Sequence, residues 1–295
     1  MDLATLFSKS SPSVLAFITK LSVGPEPHLP TIFGTGFFVD PSGIAATNRH
    51  VIEVFTQLRR HPKTGESPLA SVLFLPGDEE NSWQMLVVDV LGWNALAEFT
   101  SSDKWYGQTI PDIGFVQMGV CEVPVLTLAT EKSYLRIGME VVTIGYPMGN
   151  LPLTALEKLN QVTPFIRRGI VSSIFPFPTA LPHGFTMDIM QQGGSSGSPI
   201  LSTDDGVVVG MMSSGIPEWR VAQSEQAHLA YSVNTNISIA EPAHIIEKAL
   251  NELRATQPMG VGKPPTLAEL QARYPKPDES TELTWETWIQ RRPGF

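Results

Sequence analysis

The chain has 295 residues, with 20 Lys and Arg against 29 Asp and Glu, a formal charge of −9. Hydrophobic residues make up 42% and charged residues 17%, a globular composition that excludes a disordered chain. The acidic balance argues against a nucleic-acid partner, and the Arg pairs at 59–60, 167–168 and 291–292 are scattered, as solvated surface would be. A single cysteine, Cys121, excludes an internal disulfide and a cysteine-based zinc cluster and fits a reducing compartment. No apolar run approaches the roughly 18 residues of a membrane span. The start carries Asp2 and no basic leader, so it does not read as a secretory signal and the expected location is the cytoplasm.

In chain order the pattern is short apolar or alternating runs cut by turn residues. Strands are predicted over 14–18, 32–39, 71–75, 85–91, 113–118, 141–144, 166–174, 185–190, 199–201 and 207–212. Turn chemistry punctuates them, as in Asp40-Pro41-Ser42-Gly43 and Asp204-Asp205-Gly206. Many short strands with regular turns read as a β-sandwich or barrels, and no internal sequence repeat is visible. Helical spacing enters only after Glu241, where Ile245, Ile246, Leu250 and Leu253 share one face. A Pro-rich tail follows from about residue 258. It holds a short helix candidate opened by the capping box Thr266-Leu267-Ala268-Glu269, and then Trp285, Trp288 and Ile289 at helical spacing.

Three segments combine into one chemistry. Gly193-Gly194-Ser195-Ser196-Gly197-Ser198-Pro199 sets serine among glycines, where a tight backbone exposes a hydroxyl and turns amide N–H groups toward one point able to hold an oxyanion. Thr47-Asn48-Arg49-His50 supplies a base of suitable pKa. Asp112, in Pro111-Asp112-Ile113-Gly114, heads an apolar strand and can orient an imidazole; Asp103, in a serine loop, is its weaker rival.

These segments resemble chymotrypsin-fold serine proteases, and within them the HtrA-type proteases. Gly34-Thr35-Gly36-Phe37-Phe38-Val39 with Thr47-Asn48-Arg49-His50-Val51 is similar to that family's glycine-framed strand and its T-N-x-H-V motif. Asp112-Ile113-Gly114-Phe115-Val116 resembles D-L-A-V-L, Ile144-Gly145-Tyr146-Pro147-Met148-Gly149 resembles I-G-N-P-F-G, and Gly169-Ile170-Val171-Ser172 resembles G-I-V-S. Gly194-Ser195-Ser196-Gly197-Ser198-Pro199 resembles G-N-S-G-G-P, Asp188 falls where the family also has an Asp, and Ala230-Tyr231-Ser232-Val233 resembles A-I-P-I. The matches keep family order over roughly residues 5–254, with no PDZ domain expected after them. Two positions depart from the family, Ser195 and Ser198, and neither removes a catalytic side chain.

The resemblance implies an all-β fold of two packed antiparallel six-stranded Greek-key barrels with a C-terminal helix and tail. The expected divisions are 1–120, 121–238 and 239–295. It implies a serine endopeptidase without cofactor or metal, with His50, Asp112 and Ser196 as a triad and the amides of Gly194 and Ser196 as an oxyanion hole. Met190, Ser213, Ser214 and Gly215 would line the substrate pocket; none is charged, so cleavage is expected after small or medium apolar residues of a polypeptide. Ser195 stands where digestive trypsins carry the Asp that pairs with a cleaved N-terminus, so no zymogen cleavage is expected. The tail, 258–295, is expected to pack back on the barrels as a belt, with docking of a regulatory protein as the alternative. Two other readings compete: a catalytically silent binding module on the same fold, and an α/β-hydrolase-type esterase, since Gly193–Gly197 also fits G-x-S-x-G.

Overall fold

The computed structural model describes residues 1–19, 32–58, 67–76, 83–101, 104–130, 134–147, 164–223, 228–256 and 263–273. Within them the strands close into two antiparallel barrels. The first is built from β1 (Val14–Thr19), β2 (Ile32–Asp40), β3 (Ile44–Thr47), β4 (Leu69–Pro76), β5 (Trp83–Ala95) and β6 (Gly114–Met118), in the spatial order β1-β2-β3-β6-β5-β4. The second repeats that winding with β7 (Glu140–Gly145), β8 (Phe165–Phe175), β9 (Gly184–Met187), β10 (Pro199–Ser202), β11 (Val208–Gln223) and β12 (His228–Pro242). Two six-stranded barrels of one topology thus arise from halves without sequence similarity, because closure and alternation, not identity, satisfy the strand edges.

Each barrel fills its own interior. Leu15, Phe17, Phe38, Leu73, Leu86 and Val116 meet inside the first, and Val141, Phe185, Met187, Ile200 and Met212 inside the second. A third cluster joins them: Phe37, Ile113 and Phe115 from the first barrel pack with Val142, Ile144, Tyr146 and Leu201 from the second. This apolar seam carries the alternate faces of the strands at the junction, so a polar site at its rim is held by packing on both sides.

Among the described residues four α-helices frame the barrels: α1 (Leu3–Ser10), α2 (Arg49–Gln57), α3 (Ala243–Thr256) and α4 (Leu267–Arg273). The periodic face read after Glu241 is α3, whose Ile245, Ile246 and Leu250 enter the seam. The capping box forms as read: Thr266 N–H donates to Glu269 Oε2 at 2.9 Å, and Glu269 N–H to Thr266 Oγ1 at 3.2 Å. Residues 263–273 lie against the first barrel as a belt, with Leu267 packed into its core. Cys121 lies under this segment. Its N–H donates to Pro265 O at 2.9 Å and its Sγ to Pro264 O at 3.1 Å. Asp103, Trp285, Trp288 and Ile289 lie outside the described residues.

β12 escaped the sequence reading because its run Asn234-Thr235-Asn236 has no apolar alternation. With β11 it forms a ribbon that outgrows the barrel: β9 pairs only with residues 238–240 of β12, while β11 and β12 stay paired out to Gln223 and His228. Ala230, Tyr231 and Ser232, matched above to A-I-P-I, therefore sit exposed on the ribbon. No helix among the described residues is long and apolar enough to cross a membrane.

Candidate active site

β3 delivers the chain to Asn48, the residue capping α2, which begins at Arg49. Asn48 does not cap with its side chain. Its Nδ2 donates to Asp112 O at 2.9 Å, tying the head of α2 to the head of β6. His50 in the first turn of α2 then meets Asp112 twice: its backbone N–H donates to Oδ1 at 3.1 Å, and its Nδ1 lies 2.7 Å from Oδ2. The carboxylate thus satisfies one of the orphan N–H groups of a helix start while fixing the imidazole. Ser213 Oγ adds a third bond to Asp112 Oδ2 at 2.8 Å, from β11 of the second barrel. Burial alone would raise the Asp112 pKa, but the bonds and charge of His50, with the Ser213 hydroxyl, outweigh it and hold it below the usual Asp value.

Ser196 stands between two turns. Ser195 N–H bonds Gln192 O at 3.0 Å with Gly194 at φ 89°, and Ser198 N–H bonds Ser195 O at 3.0 Å with Gly197 at φ 85°. A positive φ at the third residue of each turn is the type II signature. The N–H groups of Gly194 and Ser196 hydrogen-bond no group of the described residues. Both family departures have a local account. Ser195 Oγ donates to Gln192 O at 2.6 Å and accepts from Gln192 N–H at 3.1 Å, so its hydroxyl closes the first turn on itself. Ser198 is fully buried, with Oγ in the space a side chain at Gly145 would need.

Thr35 on β2 binds this loop to the first barrel. Its N–H donates to Ser196 O and its Oγ1 to Gly194 O, both at 2.8 Å. The same Oγ1 accepts from Tyr146 N–H at 3.1 Å, and Thr47 Oγ1 donates to Thr35 O at 2.7 Å. The structure thus brings His50 and Asp112 into contact and sets Ser196 at the mouth of the same junction through Thr35 and Ser213. Ser196 Oγ is not hydrogen-bonded to His50. It accepts from Gln191 Nε2 at 3.0 Å and lies 3.5 Å from Ser213 O.

Of the residues expected to line a pocket, Ser213, Ser214 and Gly215 begin the free-edged part of β11, since β10 pairs only as far as Met211. The Met190 carbonyl accepts from Arg167 Nη1 at 2.5 Å. Arg167 also bonds Gln192 Oε1, and among the described residues it is held by these neutral acceptors rather than by a carboxylate. Among the described residues no three His, Cys, Asp or Glu side chains are grouped as a metal site requires.

The sequence reading missed Thr35, Asn48 and Gln191 as individual contributors, and also Glu241. This last carboxyl is buried and accepts from Asp112 N–H at 3.1 Å, so it stands directly behind the His50–Asp112 pair. Burial, with the Asp112 charge, raises its pKa to about 7. The signal was faint: a Glu beside Pro242 at a strand-to-helix junction looks like a solvated turn.

Glu241 has a stability consequence. A carboxyl raised on folding stabilises the fold below its unfolded pKa, and that contribution is lost as pH rises through the folded pKa. Moving from 4.5 to about 7, it costs about 3 kcal/mol once charged. Glu241→Gln keeps the acceptor for Asp112 N–H and removes the titration. Urea unfolding of both proteins should show equal stability near pH 4.5 and a gain of about 3 kcal/mol for the variant by pH 8. A difference that stays constant with pH would contradict the assignment.

Comparison with known proteins agrees with this fold. The family of the trypsin-like peptidase domain matches residues 34–211, and the chain belongs to that family. Among solved structures it is similar to the HtrA-type protease AlgW with a decapeptide, and to a variant of AlgW also with a decapeptide. Each has 14% identity and a TM-score of 0.52, covering 87% of this chain and 68% of the other. Deg5 is a further match, at 18% identity and a TM-score of 0.47, over 84% of this chain and 90% of that one. No curated protein matches the chain. The barrels remove the α/β-hydrolase reading, because Ser196 leads into strand β10 rather than a helix.

Proposed function

We propose that the chain is a serine endopeptidase acting through Ser196, His50 and Asp112. The observation that carries this is the 2.7 Å contact of His50 Nδ1 with Asp112 Oδ2, beside a serine whose turn leaves the amides of Gly194 and Ser196 without a partner among the described residues. With Nδ1 bound to the carboxylate, Nε2 is the nitrogen left to take the Ser196 proton as Oγ attacks a peptide carbonyl. His50 then returns that proton to the departing amine, and Asp112 stabilises the imidazolium between the two transfers. The Gly194 and Ser196 N–H groups would hold the oxyanion. The resting Ser196 Oγ donates toward Ser213 O at 3.5 Å and must turn that proton to His50 Nε2 instead, a tightening common on substrate binding.

The bound decapeptide of AlgW supports a polypeptide substrate for this fold. A peptide laid along the free edge of β11 from Ser213 to Gly215 would gain main-chain hydrogen bonds as an added strand. Met190, Ser213, Ser214 and Gly215 would receive the side chain before the scissile bond. They offer no carboxylate, and the Arg167 guanidinium behind Met190 O opposes a cationic side chain further. Cleavage should follow small or medium apolar residues. A peptide library cut mainly after Lys or Arg would overturn this specificity. The self-closed Ser195 turn is the basis for proposing that activity needs no N-terminal cleavage.

Labelling with a fluorophosphonate, followed by mass mapping of the adduct, tests class and nucleophile together. Label on Ser196, absent from Ser196→Ala, is expected. No label on the folded protein supports the silent binding module instead.

A further inference from the structure

The slot between 190–192 and 213–215 already holds a side chain of this chain. Gln191 Nε2 donates to Ser196 Oγ at 3.0 Å and to Ser213 O at 3.2 Å, using both of its hydrogens. A Cβ built on Gly215 would lie 3.2 Å from Gln191 Oε1 and 3.4 Å from its Cβ, so the side chain crosses from one wall to the other. The backbone around it is pinned: Arg167 holds Met190 O, and Ser195 Oγ holds Gln192 N–H. Only the Gln191 side chain, with its three rotatable bonds, is left to move.

A carboxamide N–H is chemically the N–H of a peptide bond. Ser213 O is the strand carbonyl nearest Ser196 Oγ, and it is therefore the acceptor available to the amide next to an attacked carbonyl. Attack requires the substrate carbon within about 3–3.5 Å of Oγ, and Gln191 Nε2 stands beside Oγ at that range. Substrate and Gln191 compete for the same acceptor and the same volume.

We infer that Gln191 is a gate and a specificity-determining residue: its carboxamide occupies the substrate amide's station in the resting protein and narrows the slot to small side chains. The inference rests on Ser196 being the nucleophile. It also fits the resting state of Ser196, whose Oγ donates toward Ser213 O rather than to His50. Binding of a peptide replaces the Gln191 N–H on Ser213 O by its own and releases Oγ toward His50. Gln191 then lines the slot and limits what fits beside it.

Two variants test this. Gln191→Ala removes both hydrogen bonds and the volume; Gln191→Met keeps the length and removes the donors. Each should raise the rate constant for labelling of Ser196 by an alkyl fluorophosphonate roughly tenfold, the worth of one to two net hydrogen bonds lost from the resting state. With peptide substrates, Gln191→Ala should lower KM while kcat stays within about twofold, and should shift preference from Ala toward Leu or Phe before the scissile bond. A merely structural Gln191 would not move that selectivity. Wild type and both variants labelling at one rate, or the variants more slowly, would overturn the gate and leave the endopeptidase reading standing. No label on any of the three, with melting temperatures unchanged, would overturn both.

Discussion

Ser196→Ala and His50→Ala are each expected to lower peptide hydrolysis about a millionfold, and the double variant scarcely further. In the proposed mechanism the two side chains act as one unit: without the base the hydroxyl stays protonated, and without the hydroxyl the base has nothing to activate. Residues acting this way are grossly non-additive, and weak catalysis from binding and oxyanion donors remains after either loss. Asp112→Asn should cost less, about ten-thousandfold, because it leaves Ser196 and His50 in place and acts first on the imidazole's tautomer. It also strains three contacts, since both carboxylate oxygens of Asp112 accept, from His50 N–H, His50 Nδ1 and Ser213 Oγ. Burst and steady-state kinetics on a peptide, with circular dichroism to verify folding, measure these losses. Additive losses in the double variant would count against a shared mechanism.

Gly197→Ala is expected to destabilise the protein by 3 kcal/mol or more. At φ 85° an added Cβ would stand 2.0 Å from Thr35 O and 2.5 Å from Thr47 Oγ1, well inside contact distance. Neither atom can retreat cheaply, because Thr47 Oγ1 donates to Thr35 O, and Thr35 in turn holds the Ser196 and Gly194 carbonyls. Backbone strain adds about 1–2 kcal/mol for an L-residue in this region. Melting should fall by roughly 6–12 °C. Activity should fall by about a hundredfold in the folded fraction, since a shift near 1 Å at Ser196 misplaces the attack. Gly193→Ala is the matched comparison: nothing lies within 4 Å of its added Cβ and its φ is not positive, so its stability should be near wild type. Equal melting of the two variants would mean that the loop is not clamped as described.

Alternation and turn chemistry made most strands legible before any coordinates. The runs at 14–18, 32–39, 71–75 and 199–201 coincide with β1, β2, β4 and β10 to within a few residues, because alternate residues of these strands enter two different apolar clusters, which leaves both faces buried and the run apolar throughout. α1, α2, β3 and β12 were not read. Arg49–Gln57 is short for a periodic signal, and most of β12 lies on a ribbon outside the barrel, where no core imposes alternation.

By itself the sequence determined the family and the barrel class, and it singled out the three side chains proposed as the triad, since nucleophile, base and carboxylate each need a residue type and a backbone setting that short motifs encode. Which neighbours support them was decided only by tertiary structure. Thr35 reaches Gly194 across 159 residues, Glu241 reaches Asp112 across 129, and Ser213 reaches Asp112 across 101. Gln191 is only five residues from Ser196, yet no pattern announces its contact, because the slot it crosses exists only once β11 lies opposite the loop. Local motifs record what a side chain can do. What faces it, and at what distance, depends on how two closed barrels pack across a common seam.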